Sequence, residues 1–276
     1  MSFGIIAGSG PLPLYLASAL RARDERVVVA AHRDESDVAI EGCADRVEWI
    51  ALGELGRVLQ LFREEGVSRA TMAGAIARQR IFERLKPDAV GFELLRSLAQ
   101  SSDDTVLRSI ARLFEAQGIE IVDAADYLPT LRLASGLVVG AELSAVQRRD
   151  ITLGLRVLQT LGEHDLGQSI VVKEGSVWAI EAAEGTDAAI GRGASLGGPG
   201  VVVVKRAKPK QDTRFDAPVI GPTTIETMAE AKAALLAFDA QNGLVFDAPR
   251  VIALAKQSDV AIYGLAAEEL EQCALP

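Results

Sequence analysis

The sequence predicts an α/β protein made of two α/β domains. Short apolar runs that suit buried strands alternate with stretches of helical periodicity, first over residues 1–123 and again over residues 148–276. Such alternation favours parallel strands joined by right-handed crossovers. Residues 124–147 lack sustained periodicity, and we interpret them as a tether between the domains. A cleft between two domains is a favoured ligand site, so we expect the ligand there.

The N-terminal domain is predicted to be Rossmann-like. Its expected strands are Phe3 to Ala7, Arg26 to Ala31, Val47 to Ile50, Ala70 to Gly74 and Ile119 to Val122, and its expected helices are Leu12 to Arg23, Glu54 to Gly66, Glu93 to Ala99 and one that follows Ser101. Asp103 and Asp104 stand in the first turn of that last helix. Helix capping explains both acids without a role in catalysis.

The turn Gly8-Ser9-Gly10-Pro11 joins the first strand to the first helix. Glycines and a proline there expose backbone N–H groups and the positive helix end to an anion such as phosphate. The alternative is a tight turn that binds nothing. Gly74, which precedes the basic stretch Arg78 to Arg80 with Gln79 between the two arginines, could also meet a diphosphate, or begin a solvated basic turn.

The C-terminal domain continues the alternation with a hairpin near its start. The predicted elements are a helix at Arg148 to Gly162, strands at Ile170 to Lys173 and Val177 to Ile180, a helix that opens in Glu181 to Ile190, a glycine-rich loop at Gly191 to Gly200, a strand at Val201 to Val204, a helix at Thr224 to Phe238, a strand at Gly243 to Phe246, a helix at Pro249 to Gln257 and a strand at Ala261 to Gly264. These elements make a second α/β layer.

The densest chemistry lies in Lys208 to Pro222, directly after the apolar run at Val201 to Val204. A buried strand that leads into a rigid segment can hold Asp212, Arg214 and Asp216 at the end of a sheet, where ligands usually bind. The alternative is a solvated proline-rich connector. Carboxylates near turns suggest a held Mg²⁺ ion, which would neutralise a phosphoryl group and favour hydrolysis of a phosphoester or phosphoanhydride.

A second candidate is the junction that contains Glu184, Gly185, Thr186 and Asp187, where a strand gives way to a helix. Backbone donors and side chains converge at such a junction, although capping of the helix by Thr186 or Asp187 is the simpler account.

Composition excludes several classes of function. A formal net charge of -9 and a pI near 4.9 argue against sequence-independent nucleic-acid binding and against electrostatic docking on an anionic bilayer. Cys43 and Cys273 are too few for a disulfide scaffold, and His32 and His164 lie too far apart in sequence to suggest a zinc site. No apolar run reaches the roughly 18 to 20 residues of a membrane span. We therefore expect a cytoplasmic protein.

Five motifs resemble one known family. They are I-A-G-S-G-P-L-P at Ile6 to Pro13, A-G at Ala73 and Gly74, L-G-Q at Leu166 to Gln168, E-A-x-E-G-T-D at Glu181 to Asp187, and K-P-x-Q-x-T-R-x-D-x-P-x-I-G at Lys208 to Gly221. Together they resemble the LpxI-type UDP-2,3-diacylglucosamine pyrophosphatases. The resemblance implies Mg²⁺-dependent hydrolysis of UDP-2,3-diacylglucosamine to 2,3-diacylglucosamine 1-phosphate (lipid X) and UMP, a step of lipid A synthesis. It also implies two α/β domains with the ligand between them.

The resemblance further implies roles for individual residues. The catalytic aspartate falls on Asp216, as a metal ligand or an activator of water, and Arg214 offsets diphosphate charge. Independently of the resemblance, the position of Asp212 beside a turn makes it a second candidate metal ligand. The expected substrate-binding positions are Gly8, Ser9, Gly10, Gly74, Gln168, Glu184, Gly185, Thr186, Asp187, Lys208 and Gln211. A homodimer and transient contact with the inner membrane surface are further expectations from the resemblance.

Two other functions stay open from the sequence. One is a dinucleotide-dependent oxidoreductase built on the first strand, turn and helix, which Pro13 opposes because it occupies the third glycine position of the G-x-G-x-x-G fingerprint. The other is a protein that binds an acylated nucleotide sugar without cleaving it.

Overall fold

The structure is a computed structural model that describes residues 2–76, 85–97, 103–164, 166–209, 212, 214–215 and 217–271. It divides into two compact units, Met1–Pro129 and Thr130–Pro276. Within the described ranges, no helix is both long enough and apolar enough to cross a membrane.

The first unit is built on a five-stranded parallel sheet with the strand order β3-β2-β1-β4-β5. Its strands are β1 (Ser2–Ala7), β2 (Arg26–His32), β3 (Arg46–Ile50), β4 (Val67–Ala73) and β5 (Glu120–Ile121), its α-helices are α1 (Leu12–Arg21), α2 (Leu55–Glu64), α3 (Ala89–Ser97) and α4 (Asp103–Glu115), and 3-10 helices lie at Val38–Gly42 and Ala124–Tyr127. This order is that of a doubly wound α/β fold. The predicted Rossmann-like layer is confirmed.

The second unit is built on a six-stranded mixed sheet with the strand order β6-β13-β11-β9-β7-β8. Its strands are β6 (Gly136–Val139), β7 (Ser169–Lys173), β8 (Ser176–Ile180), β9 (Val202–Lys205), β11 (Leu235–Asp239) and β13 (Ala261–Leu265), with β10 (Val219–Ile220) and β12 (Leu244–Val245) forming a separate pair, and its α-helices are α5 (Ala145–Glu163), α6 (Thr186–Gly197), α7 (Pro222–Glu230), α8 (Ala248–Gln257) and α9 (Ala267–Glu271). Strands β9, β11 and β13 are parallel, and the predicted hairpin of β7 and β8 is confirmed.

Both faces of this sheet are covered, which explains its continuous apolar runs. Val203 and Leu236 belong to the core on one face, whereas Val202, Val204 and Ala237 belong to the core on the other. Because successive side chains of a strand point to opposite faces, a strand buried on both faces is apolar at every position.

The predicted tether at residues 124–147 is not an irregular connector. Its second half belongs to the C-terminal unit, where β6 pairs antiparallel with β13 and α5 already begins at Ala145. Ser144 caps α5 in a reciprocal capping box with Gln147. A single short strand at a sheet edge leaves little periodicity in the sequence, so the pattern there was too short to recognise.

The predicted glycine-rich loop at Gly191 to Gly200 is wrong, because α6 runs on to Gly197. A Cβ on Gly193 would lie 2.6 Å from the Cβ of Val171, and one on Gly197 would lie 2.9 Å from the Trp178 ring. These glycines let the helix pack closely on the β7 and β8 hairpin, and this close packing outweighs their poor helix propensity.

The predicted helix at Thr224 to Phe238 is wrong in its second half. The helix α7 ends at Glu230, Lys232 adopts a positive φ of 51°, and Leu235–Asp239 becomes the central strand β11. A short, fully apolar run suits a buried strand and a buried helix equally well in sequence. Pairing with β9 and β13 on either side decides for the strand.

Candidate functional site

One edge of the six-stranded sheet brings together residues from three of the sequence motifs. The parallel strands β9, β11 and β13 end there, and the antiparallel register places Ser169, the first residue of β7, opposite Lys205, the last residue of β9. The end of β8 lies there too, because Ile180 pairs with Ile170. We call this the carboxyl edge. Ligands of open α/β sheets commonly bind beyond the carboxyl ends of the parallel strands.

A chain of hydrogen bonds joins the side chains at the carboxyl edge. Lys205 Nζ donates to Thr186 Oγ1 at 2.7 Å, and Thr186 Oγ1 donates to Glu181 Oε1 at 3.0 Å. Ser169 Oγ lies 3.3 Å from the same threonine oxygen, and the backbone N–H of Gln168 donates to Glu181 Oε2 at 3.3 Å. Lys205 is only 6% exposed and Ser169 only 1%. Hydrogen bonds of this kind offset the cost of burying polar and charged groups.

Asp239, the last residue of β11, holds the backbone directly after β9 by a hydrogen bond. Its carboxylate is 1% exposed, and its Oδ2 accepts from the backbone N–H of Ala207 at 3.2 Å. Its Oδ1 accepts from the backbone N–H groups of Gln241 and Asn242 at 3.0 Å each. The start of the segment that contains the predicted catalytic residues is thus tied to the neighbouring strand.

Sequence reasoning missed both Lys205 and Asp239. Lys205 could have been found, because a lysine that directly follows the run at Val201 to Val204 ends a buried strand. Asp239 was hidden by the predicted helix at Thr224 to Phe238, which placed it just past a helix end instead of at the end of a strand.

The helix α6 begins at the carboxyl edge without a side-chain cap. Its N-cap residue is Gly185, and the Thr186 hydroxyl is used by Lys205 and Glu181. Asp187 Oδ1 is buried and has no hydrogen-bond partner in the part of the chain that the structure describes. The simpler account, capping by Thr186 or Asp187, is therefore wrong for this helix, and the bare Asp187 oxygen has no structural partner that explains it.

Glu184 lies on the surface of the same turn. It accepts from the backbone N–H of Ala182 at 3.0 Å and also from the Arg192 side chain. A hydrogen bond from its own backbone N–H, then the one from Arg192, holds the pKa of the Glu184 carboxyl below its usual range. Glu184 therefore stays ionised and helps to shape the turn.

Asp212 and Arg214 form a fork-shaped ion pair with each other. Arg214 Nε donates to Asp212 Oδ1 at 2.9 Å, and one terminal nitrogen donates to Oδ2 at 2.7 Å. Both oxygens of Asp212 thus face a guanidinium, so the predicted metal-ligand role of Asp212 does not fit this arrangement. Within the described ranges, no three His, Cys, Asp or Glu side chains form a metal-binding group. Asp187 Oδ1, by contrast, is buried and accepts no hydrogen bond from the described residues.

Several predicted residues lie outside the described part of the chain. They are Asp216 and Gln211 in the segment after β9, and Arg78, Gln79 and Arg80 after β4. The roles assigned to them stay predictions. Lys208, by contrast, is described and is half-buried three residues beyond Lys205.

The glycine turn of the first unit makes mainly backbone contacts. The Gly8 N–H donates to Ala73 O at 2.8 Å, while Ser9 and Ala75 exchange backbone hydrogen bonds of 2.7 and 3.0 Å. A Cβ on Gly8 would lie 2.5 Å from Ala75 O, and one on Gly74 would lie 2.4 Å from Ser9 O. The structure therefore brings Gly8, Ser9 and Gly74 together, and it explains both glycines by the close approach of two turns. Their role in substrate binding stays a prediction.

A cavity of about 480 Å³ lies beside this turn, lined by Gly10, Pro11, Leu14, Glu35 and Asp37. Two carboxylates in its wall disfavour a diphosphate in that cavity by charge repulsion.

His32 is buried at the end of β2. Its Nδ1 lies 2.8 Å from Ala7 O, and since a carbonyl can only accept, Nδ1 is the protonated nitrogen. Burial lowers the pKa of His32, so its ring is neutral at pH 7.

Two family models together match almost the whole chain. The model of the LpxI N-terminal domain matches residues 2–131, and that of the LpxI C-terminal domain matches residues 134–263. The chain belongs to the LpxI family. A curated LpxI-family relative, the UDP-2,3-diacylglucosamine pyrophosphatase LpxI of Caulobacter vibrioides, is 35% identical over an alignment of 281 positions that covers 96% of this chain and 98% of the relative. The resemblance found in the five motifs is thereby confirmed.

Comparison with solved structures adds little to the LpxI assignment. The biotin carboxylase domain of Hydrogenobacter thermophilus 2-oxoglutarate carboxylase is 13% identical, with a TM-score of 0.29 over 66% of this chain and 38% of that one. Phosphoribosylglycinamide synthetase from Anaerococcus prevotii is 14% identical, with a TM-score of 0.27 over 66% and 39%. Both TM-scores are low, so neither likeness bears on function.

Proposed function

We propose that this LpxI-family protein hydrolyses UDP-2,3-diacylglucosamine to 2,3-diacylglucosamine 1-phosphate and UMP. The observation that supports it most is the relative named for this activity, which aligns with 96% of the chain at 35% identity. The geometry of the C-terminal unit is consistent with the chemistry, because its cations and carboxylates gather at one sheet edge. Such an edge suits a charged ligand.

The reaction replaces one bond to phosphorus with another. The oxygen of a water molecule bonds to one phosphorus of the diphosphate, the bond from that phosphorus to the bridging oxygen breaks, and the bridging oxygen leaves on the other phosphate. One proton of the water must be removed, and we assign this task to the Asp216 carboxylate, directly or as a metal ligand. Attack on either phosphorus gives the same two products.

The cations of the segment after β9 would stabilise the negative charge of the substrate diphosphate. The substrate diphosphate is anionic, and charge develops on its oxygens as the bridging bond breaks. Lys208 and Arg214 lie in this segment, and we assign to them the electrostatic stabilisation of those oxygens. Asp212 holds the Arg214 guanidinium through two hydrogen bonds, so it acts as the residue that orients Arg214.

Mg²⁺ stays part of the proposal. When bound, it would neutralise phosphate charge and lower the pKa of a bound water molecule. Mg²⁺ commonly takes one or two carboxylates together with substrate phosphates, and the bare Oδ1 of Asp187 is the described oxygen that fits this need. We assign Asp187 and Asp216 as its ligands.

The same proposal covers location and partners. An acylated UDP-sugar resides in a membrane, so we propose that the protein works in the cytoplasm and contacts the inner membrane surface transiently. A homodimer is the assembly that we propose on the family resemblance.

The test is release of UMP from UDP-2,3-diacylglucosamine by the purified protein with Mg²⁺. Wild type should turn over many times, and Asp216→Asn should lose activity by about 10³-fold or more, as expected for a residue that acts on the attacking water. The matched control is Asp259→Asn, because Asp259 is an exposed acid near the start of β13, away from the carboxyl edge.

Other outcomes would replace the proposal. Tight binding of the substrate without product would favour a protein that binds and does not cleave. Binding of NAD(P) with no release of UMP would favour the oxidoreductase. Full activity of Asp216→Asn would remove Asp216 from the reaction.

A further inference from the structure

Lys205 is an unusual lysine. In the part of the chain that the structure describes, it is the one lysine that is buried, with 6% of its surface exposed, whereas lysines are almost never fully buried unless they are paired. It ends the strand β9, whose other residues are valines buried in the core. An apolar side chain would continue that pattern, so packing alone does not account for an ammonium group there.

The hydrogen bond from Lys205 to Thr186 holds the ammonium in place. Thr186 Oγ1 accepts from Lys205 Nζ at 2.7 Å and donates its only hydroxyl proton to Glu181 Oε1 at 3.0 Å. Because that proton points at Glu181, the lone pairs of the threonine oxygen are left for Lys205. Glu181 is itself held by the backbone N–H of Gln168. The ammonium is thus fixed before any ligand arrives.

Burial of this ammonium contributes little to stability. Taking a charge out of water costs several kcal/mol, and a partner inside the protein often only offsets that cost. The same burial makes the charge more effective toward a ligand, since electrostatic interactions strengthen where water is excluded. The position at the end of a parallel strand, beside the first turn of α6, is where an anionic ligand would meet it.

We propose that Lys205 binds the diphosphate of the substrate, and that Thr186 and Glu181 position its ammonium for this contact. The proposal rests on the proposed function for the identity of the diphosphate. It adds to Lys208 and Arg214 a cation whose position is set by the sheet itself. Thr186, which the sequence motif suggested as a substrate-binding residue, becomes a positioning residue for Lys205.

The first experiment removes the charge. Binding of inorganic pyrophosphate is measured by calorimetry, and turnover of UDP-2,3-diacylglucosamine is measured in parallel. Lys205→Met should weaken pyrophosphate binding about tenfold or more and lower kcat/KM about 100-fold. Lys205→Arg should recover part of both, because it keeps the charge. The control is Lys173→Met, since Lys173 donates to the carbonyls of Gly197 and Pro199 at the opposite edge of the same sheet; it should bind and turn over like wild type.

The second experiment changes the positioning residue and keeps the lysine. Thr186→Val preserves the shape but removes the oxygen that Lys205 needs, and it should weaken pyrophosphate binding about threefold to tenfold. Thr186→Ser keeps the hydroxyl and should restore wild-type binding. Comparison of the Thr186→Val and Thr186→Ser variants tests the positioning of Lys205 even if Lys205→Met does not fold. Equal affinity of the valine and serine variants would overturn the positioning role.

The outcomes separate this inference from the proposed function. Wild-type pyrophosphate affinity in a folded Lys205→Met variant, together with unchanged turnover, would overturn the role of Lys205 and leave the proposed function standing. Pyrophosphate binding that depends on Lys205, with no release of UMP by wild type, would overturn the proposed function alone. Absence of both binding and turnover in wild type would overturn both.

Discussion

The glycine turn after β1 and the carboxyl edge of the six-stranded sheet occupy similar places in two different sheets. Both follow the ends of parallel strands, where α/β proteins commonly bind ligands. In the glycine turn, the N–H groups of Gly8 and Ser9 donate to the backbone carbonyls of Ala73 and Ala75, where β4 ends. At the carboxyl edge, Lys205, Thr186 and Glu181 place side-chain charge and hydroxyl groups instead. The comparison shows that close packing of the backbone is enough to explain a glycine motif at a strand end.

The two tryptophans allow each region to be followed separately. Trp49 lies in β3 of the first unit and Trp178 lies in β8 of the second, and the chain contains no other tryptophan. Fluorescence of Trp178→Phe variants therefore reports unfolding of the first unit, and fluorescence of Trp49→Phe variants reports unfolding of the second.

The largest expected effect is on the glycine turn. Gly8→Ala places a Cβ 2.5 Å from Ala75 O, which forces the two turns apart and should lower the free energy of unfolding of the first unit by about 3 kcal/mol. Urea unfolding followed by Trp49 measures it. Gly10→Ala is the control, because no atom lies within 4 Å of its Cβ and only its φ of +90° is strained; it should cost about 1 kcal/mol. Equal costs at the two positions would contradict the packing explanation.

The next effect is on the carboxyl edge. Asp239→Ala leaves the N–H groups of Ala207, Gln241 and Asn242 without their acceptor. It should lower the free energy of unfolding of the second unit by about 2 kcal/mol. Trp178 fluorescence in urea measures it. Asp259→Asn, an exposed acid in the same unit, is the control and should be close to wild type. If Asp239→Ala were equally mild, the carboxylate would not hold the segment after β9.

A smaller effect concerns pH and the first unit. Burial lowers the pKa of His32, against a weaker opposing effect of its hydrogen bond to Ala7 O and of Glu35. In the folded protein, the His32 ring therefore stays neutral at pH values at which the same histidine in the unfolded chain, with a pKa of about 6.5, takes up a proton. Its stabilising contribution is present above about pH 6.5 and is lost as the pH falls toward the lower folded pKa, by about 1 kcal/mol or less.

The measurement is urea unfolding of the Trp178→Phe protein at pH 7 and pH 5. His32→Asn keeps a donor near Ala7 O and cannot titrate, so the difference between the two pH values should shrink. An unchanged difference would assign the pH dependence to other groups.

The smallest expected effect is on the melting temperature of the second unit, and it distinguishes Glu184 from Thr186, two residues of one motif. Glu184 is exposed on the turn and its contact with Arg192 is screened by solvent, so Glu184→Gln should leave the melting temperature of the second unit unchanged. Thr186→Val, which breaks the contact with buried Lys205, should lower it. A large shift for Glu184→Gln would show that the turn, and not only the buried network, stabilises the carboxyl edge.

Much of the fold could be predicted from local pattern. The strands of the first unit and the hairpin near the start of the second were predicted within a few residues, because each is a short apolar run bounded by turn residues. The pattern failed at Leu235–Asp239 and at Gly191 to Gly197. In both places, neighbours distant in sequence decide the structure: strands on either side of β11, and the close approach of α6 to the β7 and β8 hairpin.

The candidate site, like the fold, could be predicted from the sequence only in part. The order of the motifs and the chemistry of Glu184, Thr186 and Asp187 could be identified in the sequence, since residue type alone carries that information. That Thr186 orients Lys205 instead of capping α6, and that Asp239 holds Ala207, could not be identified. Those contacts depend on how β7, β9 and β11 are aligned.

By itself, the sequence determined most of the short apolar runs that become buried strands, the membership of the LpxI family and the set of charged residues available for chemistry. Only the tertiary structure decided that Gly8 and Gly74 serve a backbone contact, that Asp212 forms an ion pair with Arg214, and that Lys205 is a buried cation at the carboxyl edge. The physical reason is that periodicity is a property of consecutive residues. Burial, strand register and hydrogen-bond partners are set by residues that only the folded chain brings together.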